Sequence, residues 1–278
     1  MGDPAARLSD EHGCPEWNVV IPHLGGPITG PGAPLVLIGG LPAAHLADFA
    51  ECLGGPLDLI AAGAAQVLIN NLPAARILVD RTLHYGCIVR PGEPMVQIGG
   101  PSFELPGNFE LDGPADWQNK VLRDLYFLST LPTGKALIDR LADSGKTITF
   151  EPAETDNVEY GNFTGGATVP YNPDTFVQTQ GPDGRYTSTP PVVGLGHEMV
   201  HALGDVEGTS ASGTENVPTQ RNIPSEEART IGVGSSAGST EPTENGIRSD
   251  MGLPQRANHY GRPPPYGASP ANPRPGGY

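Results

Sequence analysis

Basic side chains are scarce: 16 Lys and Arg stand against 31 Asp and Glu, giving a net charge of −15. That balance excludes nucleic acid and an anionic membrane surface as main partners. Aromatic residues are only 6% of the chain, and with 38 Gly and 31 Pro this argues against a helical bundle. Cysteines number 3 and all precede residue 88. An odd, sparse set does not look like a disulfide framework and points to metal binding or reduced thiols. No apolar run is long enough to span a bilayer. Met1-Gly2-Asp3-Pro4 lacks the basic and apolar regions of a cleaved leader, so any export is expected to use another route. Glycine and proline abound instead, 38 and 31 in 278 residues. They predict many turns and short strands, in a chain with room for two domains.

The C-terminal half is organised around Gly194-Leu195-Gly196-His197-Glu198-Met199-Val200-His201-Ala202. On a helix, His197 and His201 share one face and can hold one metal ion. Glu198 then sits where a carboxylate can activate water at that metal. The plain alternative is an amphipathic helix with two surface histidines. Pro190-Pro191 opens the expected helix. Leu195, Met199, Val200 and Leu203 form its buried side, and Gly204 is expected to end it.

The first hundred residues repeat. Val36-Leu37-Ile38-Gly39-Gly40-Leu41-Pro42-Ala43-Ala44 returns as Val67-Leu68-Ile69-Asn70-Asn71-Leu72-Pro73-Ala74-Ala75, and more weakly as Met95-Val96-Gln97-Ile98-Gly99-Gly100. Pro4-Ala5-Ala6-Arg7 carries the Pro-Ala-Ala element alone. Each unit reads as strand, tight turn, strand. Such units bury a face only by stacking, and a small all-β body usually needs a staple. His12, Cys14, His23, Cys52, His84 and Cys87 lie where turns would gather them. These motifs, with Gly30-Pro31-Gly32-Ala33-Pro34, resemble the PAAR-repeat proteins of type VI secretion over residues 1–100. The resemblance implies an all-β cone of stacked hairpins that caps a trimeric valine-glycine-repeat (VgrG) spike. It also implies a structural tip metal, Zn²⁺ or Fe, held by His12, His23, Cys52 and His84. Cys14 and Cys87 are extra thiols able to displace one of these, and His45 reads as a surface residue.

Residues 101–114 read as a loop-like linker, broken at Pro106-Gly107-Asn108 and Asp112-Gly113-Pro114. From Ala115 the spacing turns helical: Trp117, Val121, Leu122, Leu125, Tyr126 and Leu128, then Ala136, Leu137, Ile138 and Leu141. Thr147–Phe150 reads as a strand, and Val158–Thr189 as short strands and loops. The domain is expected over 115–261, with a disordered Pro/Gly-rich tail over 262–278.

Two histidines leave a metal site incomplete. Pro224-Ser225-Glu226-Glu227 reads as a helix start with acids in its first turn, and Glu227 lies a loop and a return helix beyond His201. His-Glu-x-x-His-Ala followed by Glu-Glu-x-Arg-Thr-x-Gly resembles the zinc sites of clostridial neurotoxin light chains. It is closer to type III-secreted zinc metalloprotease effectors of bacterial pathogens, over roughly residues 190–260. The resemblance implies an α+β, zincin-like metallopeptidase domain of gluzincin type. In it His197, His201 and Glu227 hold a catalytic Zn²⁺, with Glu226 supporting them from outside. It also offers Arg256 and Tyr260 as oxyanion stabilisers, one residue off the family's spacing.

The expected protein is therefore multidomain: a type VI secretion effector whose PAAR cone delivers a zinc metallopeptidase toxin. It would wait in the bacterial cytoplasm, be secreted into a target cell and hydrolyse protein or peptide there. An immunity protein is expected as a further partner if the recipient is a competing bacterium. Two alternatives stand: a spike-tip protein with a non-catalytic cargo-binding domain, and a zinc hydrolase acting on peptidoglycan peptides.

Overall fold

The computed structural model describes residues 2–153, 160–161 and 165–262. Among them, two compact units divide the chain: residues up to 105 with 114–123, and 106–113 with 124 onward.

The N-terminal unit is strand-rich, and its repeat has a structural meaning. Strand Ala33–Ile38 pairs antiparallel with Leu41–Ala43, and Ala62–Ile69 with Leu72–Ala74. The third copy, Glu93–Ile98, pairs with Asp3–Ala5 from the chain start. The isolated Pro-Ala-Ala segment thus completes the third hairpin, with the same register: Leu37↔Pro42, Leu68↔Pro73, Gln97↔Pro4. The first two hairpins turn through Gly39-Gly40 and Asn70-Asn71, all four at positive φ, as a two-residue hairpin turn of this hand requires.

The threefold pattern sets the core. Ala5, Ala43 and Ala74 pack with Ile38, Ile69 and Ile98 in one layer, and Ala6, Ala44 and Ala75 with Ile28, Ile60 and Ile88 in the next. Alanine is needed where three backbones converge, since a larger side chain has no room in a close-packed layer. The next position of each unit is Arg7, His45 or Arg76, whose backbone N–H donates to Asp10, Asp48 or Asp80 at 2.7–2.8 Å. His45 is therefore buried rather than at the surface. It stands in the place of the two arginines, because the second unit needs the same buried partner for its aspartate.

The linker expectation needs correction. Ser102–Glu104 is a strand added to Ala62–Ala64, and Phe109–Leu111 a parallel strand beside Ile148–Phe150. Both are three residues long, too short for the sequence pattern to separate from the proline and glycine around them.

The second unit is α+β. Helices α1 (Ala115–Ser129), whose residues up to 123 belong to the first unit, and α2 (Pro132–Asp143) follow the expected apolar stripes. Val121, Leu122, Leu125, Leu128, Leu137 and Leu141 are buried. A four-stranded sheet contains Ile148–Pro152 and Ala167–Tyr171 in parallel. Helix α3 (Pro191–Glu207) carries the histidines, α4 (Ser225–Ile231) follows the hairpin of Thr214–Val217 and Gln220–Pro224, and α5 (Glu244–Asp250) completes the set. Helix α3 does not end at Gly204 but at the left-handed Gly208, φ 68°. Gly204 serves packing instead: a Cβ there would lie 2.4 Å from Arg229 Nη2. Gly196 has a similar part, since its Cβ would lie 2.3 Å from Ile247 Cδ1. That missing carbon leaves room for the Ile247 side chain of α5. The expected disordered tail falls, apart from Arg262, outside the described residues.

Candidate active site and metal centres

Helix α3 is buried along most of its length, and the motif lies inside that buried part. One turn separates His197 from His201, and their Nε2 atoms are 3.2 Å apart. Glu227 comes from the first turn of α4. Its Oε2 is 3.3 Å from His197 Nε2 and its Oε1 3.5 Å from His201 Nε2. One ligand atom from each of the three residues falls within 4.8 Å of the others. Glu198, on the same helix, is 5% exposed.

A second ring of side chains fixes the first. His197 Nδ1 lies 2.8 Å from Glu244 Oε2. His201 Nδ1 lies 3.3 Å from both Glu226 Oε1 and Thr230 Oγ1. Each imidazole thus spends Nδ1 on an outer carboxylate and turns Nε2 to the centre, the arrangement that fixes a ligand's tautomer. Glu226 is held in turn by the Ala211 N–H at 2.6 Å and by Arg229. Glu244 accepts from Arg248 Nε and Arg256 Nη1, both at 2.7 Å. Arg248 also donates to Thr179 and Thr189 on one hairpin, so α5 is anchored on both sides.

The charges are tightly coupled. Burial opposes protonation of His197, but Glu227 and Glu244 outweigh it and raise its pKa. Burial likewise opposes protonation of His201, while Glu226 and Glu227 lift it to about 10. Against burial, His201 and Arg229 hold Glu226 down to about 2. The two histidines, again against burial, hold Glu227 far below the usual carboxylate range.

These residues fit a divalent metal. Two imidazole nitrogens and a carboxylate are a zinc donor set, and Glu227 Oε2 is buried without a hydrogen bond. Arg256 is not brought onto the ligand atoms. Its Nε and Nη2 donate to the carbonyls of Asn258 and His259, and its Nη1 to Glu244. Tyr260 is half exposed. Glu244 carried no sequence signal beyond Thr243, whose side chain caps α5. His259, which no motif marks, has its Nε2 3.7 Å from Glu227 Oε2.

In the N-terminal unit, Cys14, His23, Cys52 and His84 converge within the same 4.8 Å limit. His12 is the correction. Its Nδ1 lies 2.9 Å from the Gly26 carbonyl and its Nε2 3.3 Å from Asp58 Oδ2, so both ring nitrogens face oxygen atoms. Cys14 takes the fourth place, with Sγ 3.5 Å from His23 Nδ1. Asp58 also reaches His84 Nδ1 at 3.5 Å. Though burial opposes it, His12 and His84 keep the Asp58 carboxyl below its usual range. Burial and the neighbouring Cys14 push the Cys52 thiol up to about 12. A bound cation reverses that preference. His23 Nε2 is buried without a hydrogen bond, and two sulfurs with two imidazoles suit zinc. Cys87 stays outside the cluster.

Comparison with known proteins follows the same division. The family model of the M91 peptidases, described as effector protein, matches residues 106–260, and the PAAR motif model matches 20–90. No curated protein matches. Among solved structures, the Clostridium botulinum neurotoxin serotype F light chain is similar at 12% identity and a TM-score of 0.34, covering 48% of this chain and 49% of that one. The botulinum neurotoxin type D light chain is similar at 15% identity and a TM-score of 0.32, covering 49% and 48%. The chain therefore spans about half the length of either light chain.

Proposed function

Because the chain belongs to the M91 peptidase effector family, we propose that it is a zinc-dependent metallopeptidase toxin carried by its own spike tip. The observation that carries this reading is the convergence of His197, His201 and Glu227, with Glu198 on the same helix. When bound there, Zn²⁺ supplies Lewis-acid polarisation of a peptide carbonyl and acidifies water. Glu244 and Glu226 keep both Nε2 lone pairs aimed at the centre. Glu198 takes the proton of the attacking water and returns it to the departing nitrogen. Burial of the motif excludes bulk water, which strengthens each of these interactions.

The N-terminal unit supports delivery. Its three equivalent strands expose an apolar residue at the same position: Val36 is 38% exposed, Val67 37% and Val96 37%. Threefold repetition of an apolar edge suits a threefold partner, here the trimeric VgrG spike of a type VI secretion system. No helix among the described residues is long and apolar enough to cross a membrane. Secretion on the spike would carry the peptidase from the producing cell's cytoplasm into the recipient.

The test is incubation of the full chain with target-cell lysate, with and without a chelator, followed by mapping of new termini. New termini should depend on metal and vanish with Glu198→Gln. Toxicity in a recipient that persists at full strength in Glu198→Gln would overturn the enzyme and favour a cargo-binding role. Toxicity confined to periplasmic expression would move the substrate to peptidoglycan peptides.

A further inference from the structure

His259 lies in an irregular segment, yet its backbone is clamped from both sides. Its N–H donates to Gln220 Oε1 at 2.8 Å, and its carbonyl accepts from Arg256 Nη2 at 2.8 Å. The preceding Asn258 is wholly buried. It donates to Gln180 Oε1 and Thr219 Oγ1, and accepts from the Tyr260 N–H. Two separate segments, at Gln180 and at Thr219-Gln220, thus fix one loop, which Arg256 and Tyr260 brace from within. Such ordering costs conformational entropy at every residue. What the loop presents is the imidazole of His259, 44% exposed, with Nε2 3.7 Å from Glu227 Oε2. That distance is outside hydrogen-bond range, and the ring is not among the converging ligand atoms. It stands at the rim of the cluster, more open to solvent than any of the three.

We infer that His259 is the catalytic residue that donates a hydrogen bond to the substrate carbonyl oxygen as it becomes a tetrahedral oxyanion. This rests on the peptidase reading above. The sequence offered Arg256 and Tyr260 for that role. Each nitrogen of Arg256 already donates within the protein, and withdrawing Nη1 would strip a partner from the buried Glu244. Arg256 is instead the positioning residue, since its donation to the His259 carbonyl helps fix where the ring points. A donor held in place before the reaction needs no reorganisation as charge develops. No bond is made or broken at His259, and its proton stays on the ring.

The test compares the full zinc-loaded chain with His259→Ala and His259→Gln. Zinc affinity by chelator competition should stay within about threefold of the parent, since the ring is not a ligand. Turnover should fall about 10²- to 10³-fold in His259→Ala with KM little changed. His259→Gln, which keeps an N–H donor, should recover about tenfold or more of that loss. A second readout avoids turnover: inorganic phosphate, a tetrahedral oxyanion, titrated into Co²⁺-loaded protein and followed by visible absorption. Its Kd should rise about tenfold in His259→Ala. Unchanged turnover and unchanged phosphate binding would overturn the inference. So would a weakened zinc affinity with turnover restored at saturating zinc, which would make His259 a support for Glu227. If the parent cleaves nothing but phosphate binding still depends on His259, the donor role stands and the peptidase reading fails.

Discussion

Glu244 Oε2 lies 2.8 Å from His197 Nδ1, although 47 positions separate the two residues. The carboxylate is 1% exposed and carries Arg248 and Arg256 as well. Replacing it by Gln keeps the shape and removes the charge. Losing such a partner typically weakens metal binding about 10- to 100-fold. Arg248, itself 1% exposed, would be left partly uncompensated, at a cost of about 3 kcal/mol. Chelator competition and thermal melting separate the effects. Adding Arg248→Met to Glu244→Gln should restore much of the melting temperature but not the metal affinity. Recovery of both would mean that Glu244 acts only on the fold.

The pocket's protonation predicts how metal binding depends on pH. In the metal-free protein the pKa of His201 is raised from 6.5 to about 10. A raised folded-state value means that its contribution to stability is complete below 6.5 and is lost as pH climbs towards 10. Glu226 is lowered from 4.5 to about 2, so its contribution is complete above 4.5 and is lost as pH falls to 2. On these two groups, metal-free protein is most stable between pH 4.5 and 6.5. Metal must displace the histidine protons, so affinity should rise about tenfold per pH unit for each proton released. Chelator competition between about pH 6 and 8 reads that slope. An affinity independent of pH across that range would show that the histidines are neutral before metal arrives.

Local periodicity made much of this legible. The stripes of α1 and α2 and the apolar face of α3 are each set within a dozen or so residues, and each of the first two hairpins closes through a two-residue turn, so propensity and pattern agree. Glu227 was reachable because Pro224-Ser225 marks a helix start just before it. Glu244 was not, since an acid at the start of a short helix looks like any dipole-favoured residue until the fold brings it to His197. His12 and Cys14 were inseparable for a different reason. Two positions apart on an extended chain, they face the same side, and only the approach of Asp58 decides which one is used elsewhere.

Gly196 tests how closely α3 and α5 must meet. A Cβ at this position would lie 2.3 Å from Ile247 Cδ1, and Ile247 is fully buried. Gly196→Ala should therefore overpack the contact, at about 1–3 kcal/mol. Because Glu244 rides on the same helix as Ile247, metal affinity should fall with it. Ile247→Ala, added to Gly196→Ala, makes room again and should return part of the affinity even if the core is looser. Melting curves and metal titration on the three variants decide the matter. A Gly196→Ala protein that binds metal like the parent would show that α5 can shift without moving Glu244.

The convergence of Cys14, His23, Cys52 and His84 in the N-terminal unit predicts a clean contrast between two neighbouring residues. With both sites loaded, the chain should carry about two zinc ions, one in each cluster. Cys14→Ser removes a sulfur from the converging set and should lower the count to about one, with a lower melting temperature, since bound structural zinc adds to folding free energy. His12→Gln should keep about two, because its ring nitrogens face Gly26 and Asp58 rather than the cluster. It should still weaken the site modestly: Asp58 would lose one of the two histidines it touches and hold His84 less firmly. Elemental analysis after dialysis gives the count, and melting with and without chelator gives the linkage. A His12→Gln protein that loses one zinc while Cys14→Ser keeps both would reverse the assignment and return the fourth place to the histidine.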